Sequence, residues 1–441
     1  MATPTTSRVT LDKITALCKR RGFAYQSSEI YGGLNGVYDF GPLGALLLQN
    51  LRNAWTKSLK KTGLDIVFLE GALLGSSQMW QASGHLENFH DPMVDCMICK
   101  HRFRADEIDL NKACSNCGNK QWTDVRQFNM MFSTQLGATA DQASTVYLRP
   151  ETAQAIFINF KNVLSSNRVK IPFGIAQIGK AFRNEITPKQ FLFRVREFEQ
   201  MEIEWFCKGE DALKFFELWL KERQEFYNRI GLKPAHIHMR AHAKEELSHY
   251  SSATTDVEYE FPFGWKELEG IAYRGDFDLK QHSLHSGKDL QVYDEETKTS
   301  YTPHVVECSV GLGRLFLALL CDSYDEETIA EGDIRTVLRL KPALAPIKAA
   351  FMPLSKQQEG ACKKLFKKIG EELDVEMQYD ASGSIGKRYR RQDEIGTPFC
   401  FTYDFESEQT QTVTIRHRDS MQQERIAFDA IAPFLKKQMV L

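Results

Sequence analysis

Arg196-Glu197-Phe198-Glu199-Gln200-Met201-Glu202-Ile203-Glu204-Trp205 is the stretch from which the fold of this 441-residue chain can be read. From Phe198 onward it alternates with a period of two, the signature of a strand. Phe198, Gln200, Glu202 and Glu204 fall on one face, and Met201, Ile203 and Trp205 on the other. The apolar face needs a core beneath it, so the acidic face with its single aromatic is expected to look into a cleft. Upstream, Phe182-Arg183-Asn184-Glu185 closes an earlier strand, and a polar loop joins the two. Far along the chain, Glu307-Cys308-Ser309-Val310-Gly311-Leu312-Gly313-Arg314 reads as a strand passing through two glycines into an apolar helix, with Arg314 in its first turn.

Arginine presents a planar fork of donors that matches phosphate oxygens and stays charged at any working pH. Gly311 and Gly313 let a ligand or backbone come close. Phe198 offers a face for a purine, and Glu199, Glu202 and Glu204 offer negative charge to an ammonium group or a magnesium ion. Each piece alone also fits an exposed hairpin or a glycine-capped helix. Together they read as two walls of one ATP site.

The pair resembles motifs 2 and 3 of the class II aminoacyl-tRNA synthetases. Leu148-Arg149-Pro150-Glu151-Thr152-Ala153-Gln154 and Phe261-Pro262-Phe263-Gly264-Trp265-Lys266-Glu267-Leu268-Glu269-Gly270-Ile271-Ala272 narrow the resemblance to the glycyl-tRNA synthetases of the homodimeric type, from about Phe23 to the C-terminus. The resemblance implies an α+β catalytic domain built on an antiparallel sheet, with a zinc-ribbon-like insertion, followed by a C-terminal α/β mixed-sheet anticodon-binding domain. It also implies ATP and Mg²⁺ as well as glycine and tRNA(Gly) as partners. By the same resemblance Arg183, Glu185 and Arg314 are catalytic. Asn184, Phe193, Arg194, Glu267, Leu268, Gly311 and Gly313 join them around ATP, with Phe198 stacking on adenine. Arg104, Glu151, Gln200, Glu202, Glu307 and Ser309 surround glycine together with Phe198 and Gly311. Cys308, Tyr273 and Gly275 stand where the family usually has proline, asparagine and threonine, which leaves the shape of the glycine pocket in question. A rival reading is a non-catalytic relative, such as the accessory subunit of a mitochondrial DNA polymerase, but such a chain would have no reason to keep Arg183, Glu185 and Arg314 together. A second rival is a synthetase of this class for alanine, serine or threonine.

A net charge of −2 argues against a general polyanion binder, so RNA contact would rest on local patches. The opening MATPTTSRVT lacks an apolar signal segment, and no apolar run approaches the roughly 18 residues that span a bilayer. Six of the ten cysteines (Cys18, Cys207, Cys308, Cys321, Cys362, Cys400) lie scattered in apolar or mixed segments, as reduced thiols do, so a cytoplasmic, non-membrane protein is expected. The other four form two CxxC knuckles, Cys96/Cys99 and Cys114/Cys117, separated by fourteen residues. Two such knuckles complete the tetrahedral shell of a structural zinc. A disulfide or redox pair is the alternative.

The expected division is a catalytic domain over residues 1–340 and a second domain over 341–441, because prolines 342, 346 and 353 punctuate the change in composition. Within the first, motif 1 falls near 40–61, the cysteine insertion at about 92–125, motif 2 at about 180–206 and motif 3 at about 305–320. Helices are predicted over Leu11 to Gly22, over Leu43 to Lys61 (a dimer-forming helix by resemblance, an ordinary core helix otherwise) and over Glu210 to Ile230, with Leu213, Phe216, Leu220 and Ile230 as the buried stripe of the last. The C-terminal block reads β, α, β, α, β, β, α, ending in a helix from Gln422 to Lys437. Its cationic run around Lys387-Arg388-Tyr389-Arg390-Arg391 is either a solvated helix face or, by resemblance, a surface for RNA.

Overall fold

The alternating stretch is a strand of eleven residues, Glu197–Cys207, near the middle of a seven-stranded sheet. The computed structural model describes residues 9–137, 145–243, 246 and 252–440. Among these, the sheet contains β1 (Ile66–Phe68), β2 (Phe173–Phe182), β3 (Glu197–Cys207), β4 (Ile237–Ala241), β5 (Ala253–Phe261), β6 (Gly264–Gly275) and β7 (His304–Gly311) in the order β4-β5-β6-β7-β3-β2-β1. Neighbours run antiparallel except β1, which pairs parallel with β2.

The two faces of β3 meet different surroundings, as the alternation requires. Met201, Ile203 and Trp205 enter the largest core, made with α1 (Leu11–Arg21), α2 (Pro42–Lys61), α4 (Ala212–Ile230) and α6 (Leu312–Ser323). Burying side chains of this size contributes about 1.5–3 kcal/mol each. The opposite face is divided along its length. At one end Phe173, Ile175, Phe206 and Val305 pack beneath α3 (Ala153–Asn167) and α5 (Phe277–Ser286) in a second core. Towards the other end no described helix covers the sheet, and Glu202, Gln200 and Phe198 face the cleft.

Helix α4 departs from the expected stripe. Leu213 is 61% exposed, and the buried side is formed by Phe216, Trp219, Arg223, Phe226, Tyr227 and Ile230. Arg223 is drawn inward because Glu269 of β6 lies beneath it at 2.7 Å. Gly231, at φ 98°, ends the helix as expected.

The C-terminal part has its own core around a mixed sheet. Strands β8 (Ala349–Pro353), β9 (Met377–Tyr379), β10 (Phe399–Tyr403), β11 (Thr412–His417) and β12 (Gln423–Ala427) lie in the order β9-β8-β10-β11-β12, with α7 (Glu359–Glu372), α8 (Ile385–Ile395) and α9 (Ile431–Gln438). The expected last helix from Gln422 is therefore an edge strand followed by a shorter helix. Pro433 fits only the first turn of a helix, so no helix can run through it from Gln422. The cationic run of α8 is largely spent within the protein. Arg388 donates to the Gly383 and Pro353 carbonyls, Arg391 pairs with Asp380 and Arg390 with Asp333. Asp393 of the same helix is fully buried between Arg335 and Arg416.

Candidate active site

Antiparallel register sets the floor of the cleft. Gln177 of β2, Glu202 of β3, Ser309 of β7 and Gly270 of β6 are cross-strand neighbours, so three side chains rise from one row and Gly270 leaves its end bare. One step outward Gly179, Gln200 and Gly311 form the next row. A Cβ on Gly179 would lie 2.1 Å from the Arg149 guanidinium, and one on Gly311 or Gly270 would meet nothing nearer than 3.8 Å. The first glycine therefore admits a neighbour, while the other two leave the floor open.

The resulting cleft has a volume of about 280 Å³ and brings together most of the residues singled out in the sequence: Glu151, Arg183, Glu185, Phe193, Arg194, Phe198, Gln200, Glu202, Glu267, Leu268, Glu307, Ser309, Gly311, Gly313 and Arg314. Arg183 lies over the Phe198 ring at 5.2 Å and over Phe89 at 5.4 Å. Arg314 lies over Phe193 at 4.4 Å and reaches Glu267 at 3.2 Å. Two arginines are thus held on aromatic faces with part of each fork turned to the cleft, while Arg194 is anchored on Glu107 at 2.8 Å. Glu185 is 8% exposed and one of its oxygens has no hydrogen-bond partner among the described residues. Its carboxyl is raised by burial, against the opposing pull of Arg194 and Arg183.

At the closed end the charges are acidic. Thr152 donates to Glu202, Arg274 donates to Glu307 at 2.7 Å, and His85 lies 3.2 Å from Glu151. Burial raises the Glu202 carboxyl to about 8, with the negative charges of Glu307 and Glu151 adding to it. Burial raises Glu307 too, although Arg274 opposes it. Burial would also raise Glu151, but His85 and Arg274 hold it well below the ordinary range. Gln200 donates to the Ser309 hydroxyl at 3.1 Å, fixing that side chain in the row between Glu202 and Gly270. Since the Arg274 guanidinium already flanks Glu307, the space among these carboxylates suits one monovalent ammonium better than a dication.

Several expected positions fall elsewhere. Arg104 does not line the cleft: it pairs with Asp91 and Asp106, each at 2.8 Å, inside the cysteine-bearing insertion. Asn184 does not line it either, and its backbone N–H donates to the Met130 carbonyl. Glu199, grouped in the sequence with Glu202 and Glu204, has the opposite strand parity and is bound bidentately by Arg52 of α2. Glu204 lies below the floor rather than on it. Arg274 and His85 were not singled out in the sequence. The alternation of β6 from Gly270 through Ala272 was the available signal for Arg274, but for His85 nothing local reveals the contact with Glu151.

The three departures from the family pattern stay off the cleft floor. Cys308 points into the core on the far face, and the Tyr273 hydroxyl meets His304 at 2.7 Å. Gly275 sits at a register shift with φ 68°, a conformation a threonine would adopt only under strain.

The four thiols Cys96, Cys99, Cys114 and Cys117 converge beside a small sheet of Arg102–Arg104, His90–Asp95 and Arg126–Asn129. Cys96 and Cys117 sulfurs are 3.5 Å apart, Cys99 and Cys114 sulfurs 3.8 Å, and none is in a disulfide. Sulfurs about 2.3 Å from a tetrahedral centre stand roughly 3.8 Å from one another. The donor set fits zinc.

An antiparallel sheet with Arg183 just past the end of β2, Arg314 in the first turn of α6 and an acidic pocket beside them defines a class II aminoacyl-tRNA synthetase core. The family described as "tRNA synthetase class II core domain (G, H, P, S and T)" matches residues 132–324, and "Anticodon binding domain" matches residues 348–438. Among curated proteins, the glycine–tRNA ligase of Geobacillus thermodenitrificans is 50% identical over 98% of both chains, that of Alkaliphilus oremlandii 49% over 98% of both, and that of Treponema denticola 51% over 95% of both. The chain belongs to the glycine–tRNA ligase family.

Proposed function

We propose that this protein is a glycine–tRNA ligase that activates glycine with ATP and passes the glycyl group to the 3′ end of tRNA(Gly). The carrying observation is the placement of Glu151, Glu202 and Glu307 within one cleft that also presents Arg183 and Arg314. The glycine ammonium binds among the three carboxylates, which aims its carboxylate towards the arginines. A carboxylate oxygen attacks the α-phosphorus, the bond from that phosphorus to the bridging oxygen breaks, and pyrophosphate leaves. A terminal ribose hydroxyl of the tRNA then attacks the glycyl carbonyl and releases AMP. The enzyme's contribution is positioning and charge stabilisation. Arg183 and Arg194 meet the phosphates at the reacting end and Arg314 the departing end. The partnerless oxygen of Glu185 needs a donor, and the adenine amino group supplies one. ATP is taken as its magnesium complex, in which the ion neutralises part of the phosphate charge. ATP–pyrophosphate exchange with glycine, alanine, serine and threonine tests the assignment. Exchange with glycine alone is the expected result.

Selection against larger amino acids rests on the row Glu202, Ser309 and Gly270. Ser309, held by Gln200, stands where a substrate Cβ would project. Ser309→Gly is expected to narrow the glycine-to-alanine ratio in pyrophosphate exchange by about tenfold, the worth of one methyl-sized contact. An unchanged ratio would remove Ser309 from the specificity wall.

The cysteine cluster is proposed to hold one structural zinc, since four thiolates leave no open position for catalysis. Protein purified without chelators should contain about one equivalent per chain, and Cys96→Ser or Cys114→Ser should lose it and open residues 95–120 to proteolysis. Four freely titrating thiols without zinc would rule the site out.

The proposed division places the catalytic domain in residues 1–340 and the anticodon-binding domain in 341–441, which meets the tRNA away from the cleft. We also propose a homodimer in the cytoplasm. The ten cysteines without disulfides fit a reducing compartment, and no described helix is long and apolar enough to cross a membrane.

A further inference from the structure

Beneath the cleft floor Glu204 is fully buried, and neither of its carboxyl oxygens receives a hydrogen bond from any described residue. Ionised, it would carry a charge out of water with no hydrogen bond to compensate it, a cost that folded proteins avoid by pairing or protonation. Its row explains both its depth and its neighbour. Ile175 lies on one side of it and Glu307 directly opposite on the other, and the next row down is the apolar Phe206 and Val305. Carboxyl oxygens of Glu202, Glu204 and Glu307 all lie within 4.8 Å of one another. The charged groups facing Glu204 are Glu202 from its own strand, Glu307 from β7, Arg274 from β6 and Asp278 from α5. Of these only Arg274 is cationic, and it donates twice to Asp278 and once to Glu307.

We infer that Glu204 is a positioning residue: it stays a neutral carboxylic acid, and its proton bridges to Glu307, fixing that carboxylate for the glycine ammonium. The two carboxyls then share one proton, and Arg274 holds the outer side of Glu307. Glu307 so held has one orientation and carries its negative charge towards the cleft. Burial first, and then the charges of Glu307 and Glu202, push Glu204 well above the ordinary carboxyl range, in the direction this requires. The inference rests on the glycine-binding reading above and adds a residue that does not touch the substrate.

Glutamine at 204 supplies a permanent donor of nearly the same shape, whereas leucine supplies none. Glu204→Gln is expected to keep the glycine KM within about threefold of wild type, and Glu204→Leu to raise it by about tenfold or more, the scale of a lost hydrogen bond to a charged group. The ATP KM should stay unchanged in both. Thermal unfolding without substrates gives an independent readout. A carboxyl whose folded pKa lies above its unfolded value favours the folded state at low pH, and that contribution is lost as pH rises through the folded pKa. The Tm of Glu204→Gln relative to wild type should therefore climb between pH 5 and pH 9, because only wild type must ionise or retain a buried acid. A flat difference, or a Glu204→Gln glycine KM as damaged as that of Glu307→Gln, would overturn the inference by showing that Glu204 works as an anion. If the glycine reading itself were wrong, wild type would fail in glycine exchange while the Tm comparison still decided the protonation state. Should Glu204→Leu not fold, the glutamine variant and its Tm profile suffice.

Discussion

Arg183→Ala is expected to lower adenylate formation by about 10²-fold or more, the scale of losing one donor aimed at charge developing in a transition state. The side chain is held for this purpose. Its Nε donates to the Pro150 carbonyl at 3.1 Å and its plane lies between Phe89 and Phe198, so the terminal nitrogens are pre-aimed at the cleft. Truncation leaves that frame intact, since each direct contact is with a carbonyl or a ring, and Arg194 still faces the buried Glu185. The variant should therefore fold and still bind glycine, with the loss falling on ATP–pyrophosphate exchange. Arg314→Ala should show a similar loss, with a larger share in the ATP KM because the group meets the departing phosphates. Near-normal exchange in Arg183→Ala would sink the phosphate assignment.

Glu202→Gln is expected to raise the glycine KM by roughly 30-fold to 10³-fold, corresponding to about 2–4 kcal/mol for unpairing a charged group in a semi-buried site. ATP affinity should change little. This carboxylate also carries a pH signature. With its folded value at about 8, Glu202 binds a proton at neutral pH before glycine arrives, and the ammonium has to displace it. Glycine KM should accordingly fall as pH rises from 6 through 8, and the trend should vanish in Glu202→Gln, whose amide does not titrate. A pH-independent wild-type KM would show that glycine displaces no proton from Glu202.

The alternation from Phe198 to Trp205 and the glycines before Arg314 were enough to define a strand, a strand-to-helix turn and the faces of each, because side-chain period depends only on backbone geometry. That is why the shared face of Phe198, Gln200 and Glu202 and that of Glu307 and Ser309 were legible, while the resemblance to motifs 2 and 3 joined them with Arg314 into one site, and the CxxC spacing made the two knuckles one donor set. Other features lay outside local pattern. Arg223 looks like a solvent residue of α4 until Glu269 on another element draws it inward, and Glu199 looks like a partner of Glu202 until Arg52 claims it. Arg104 carries a charge suited to a carboxylate ligand, and only the fold shows Asp91 and Asp106 already bound to it. Depth is the clearest case. Glu202 and Glu204 are equivalent in sequence pattern, two residues apart on one face of one strand. Tertiary packing alone made the first a floor residue open to the cleft and placed the second in the row next to Phe206 and Val305 under the helices, where no described residue hydrogen-bonds its carboxyl. A period of two fixes the face on which a side chain stands, but how far along that face the covering helices reach is set by elements distant in the chain.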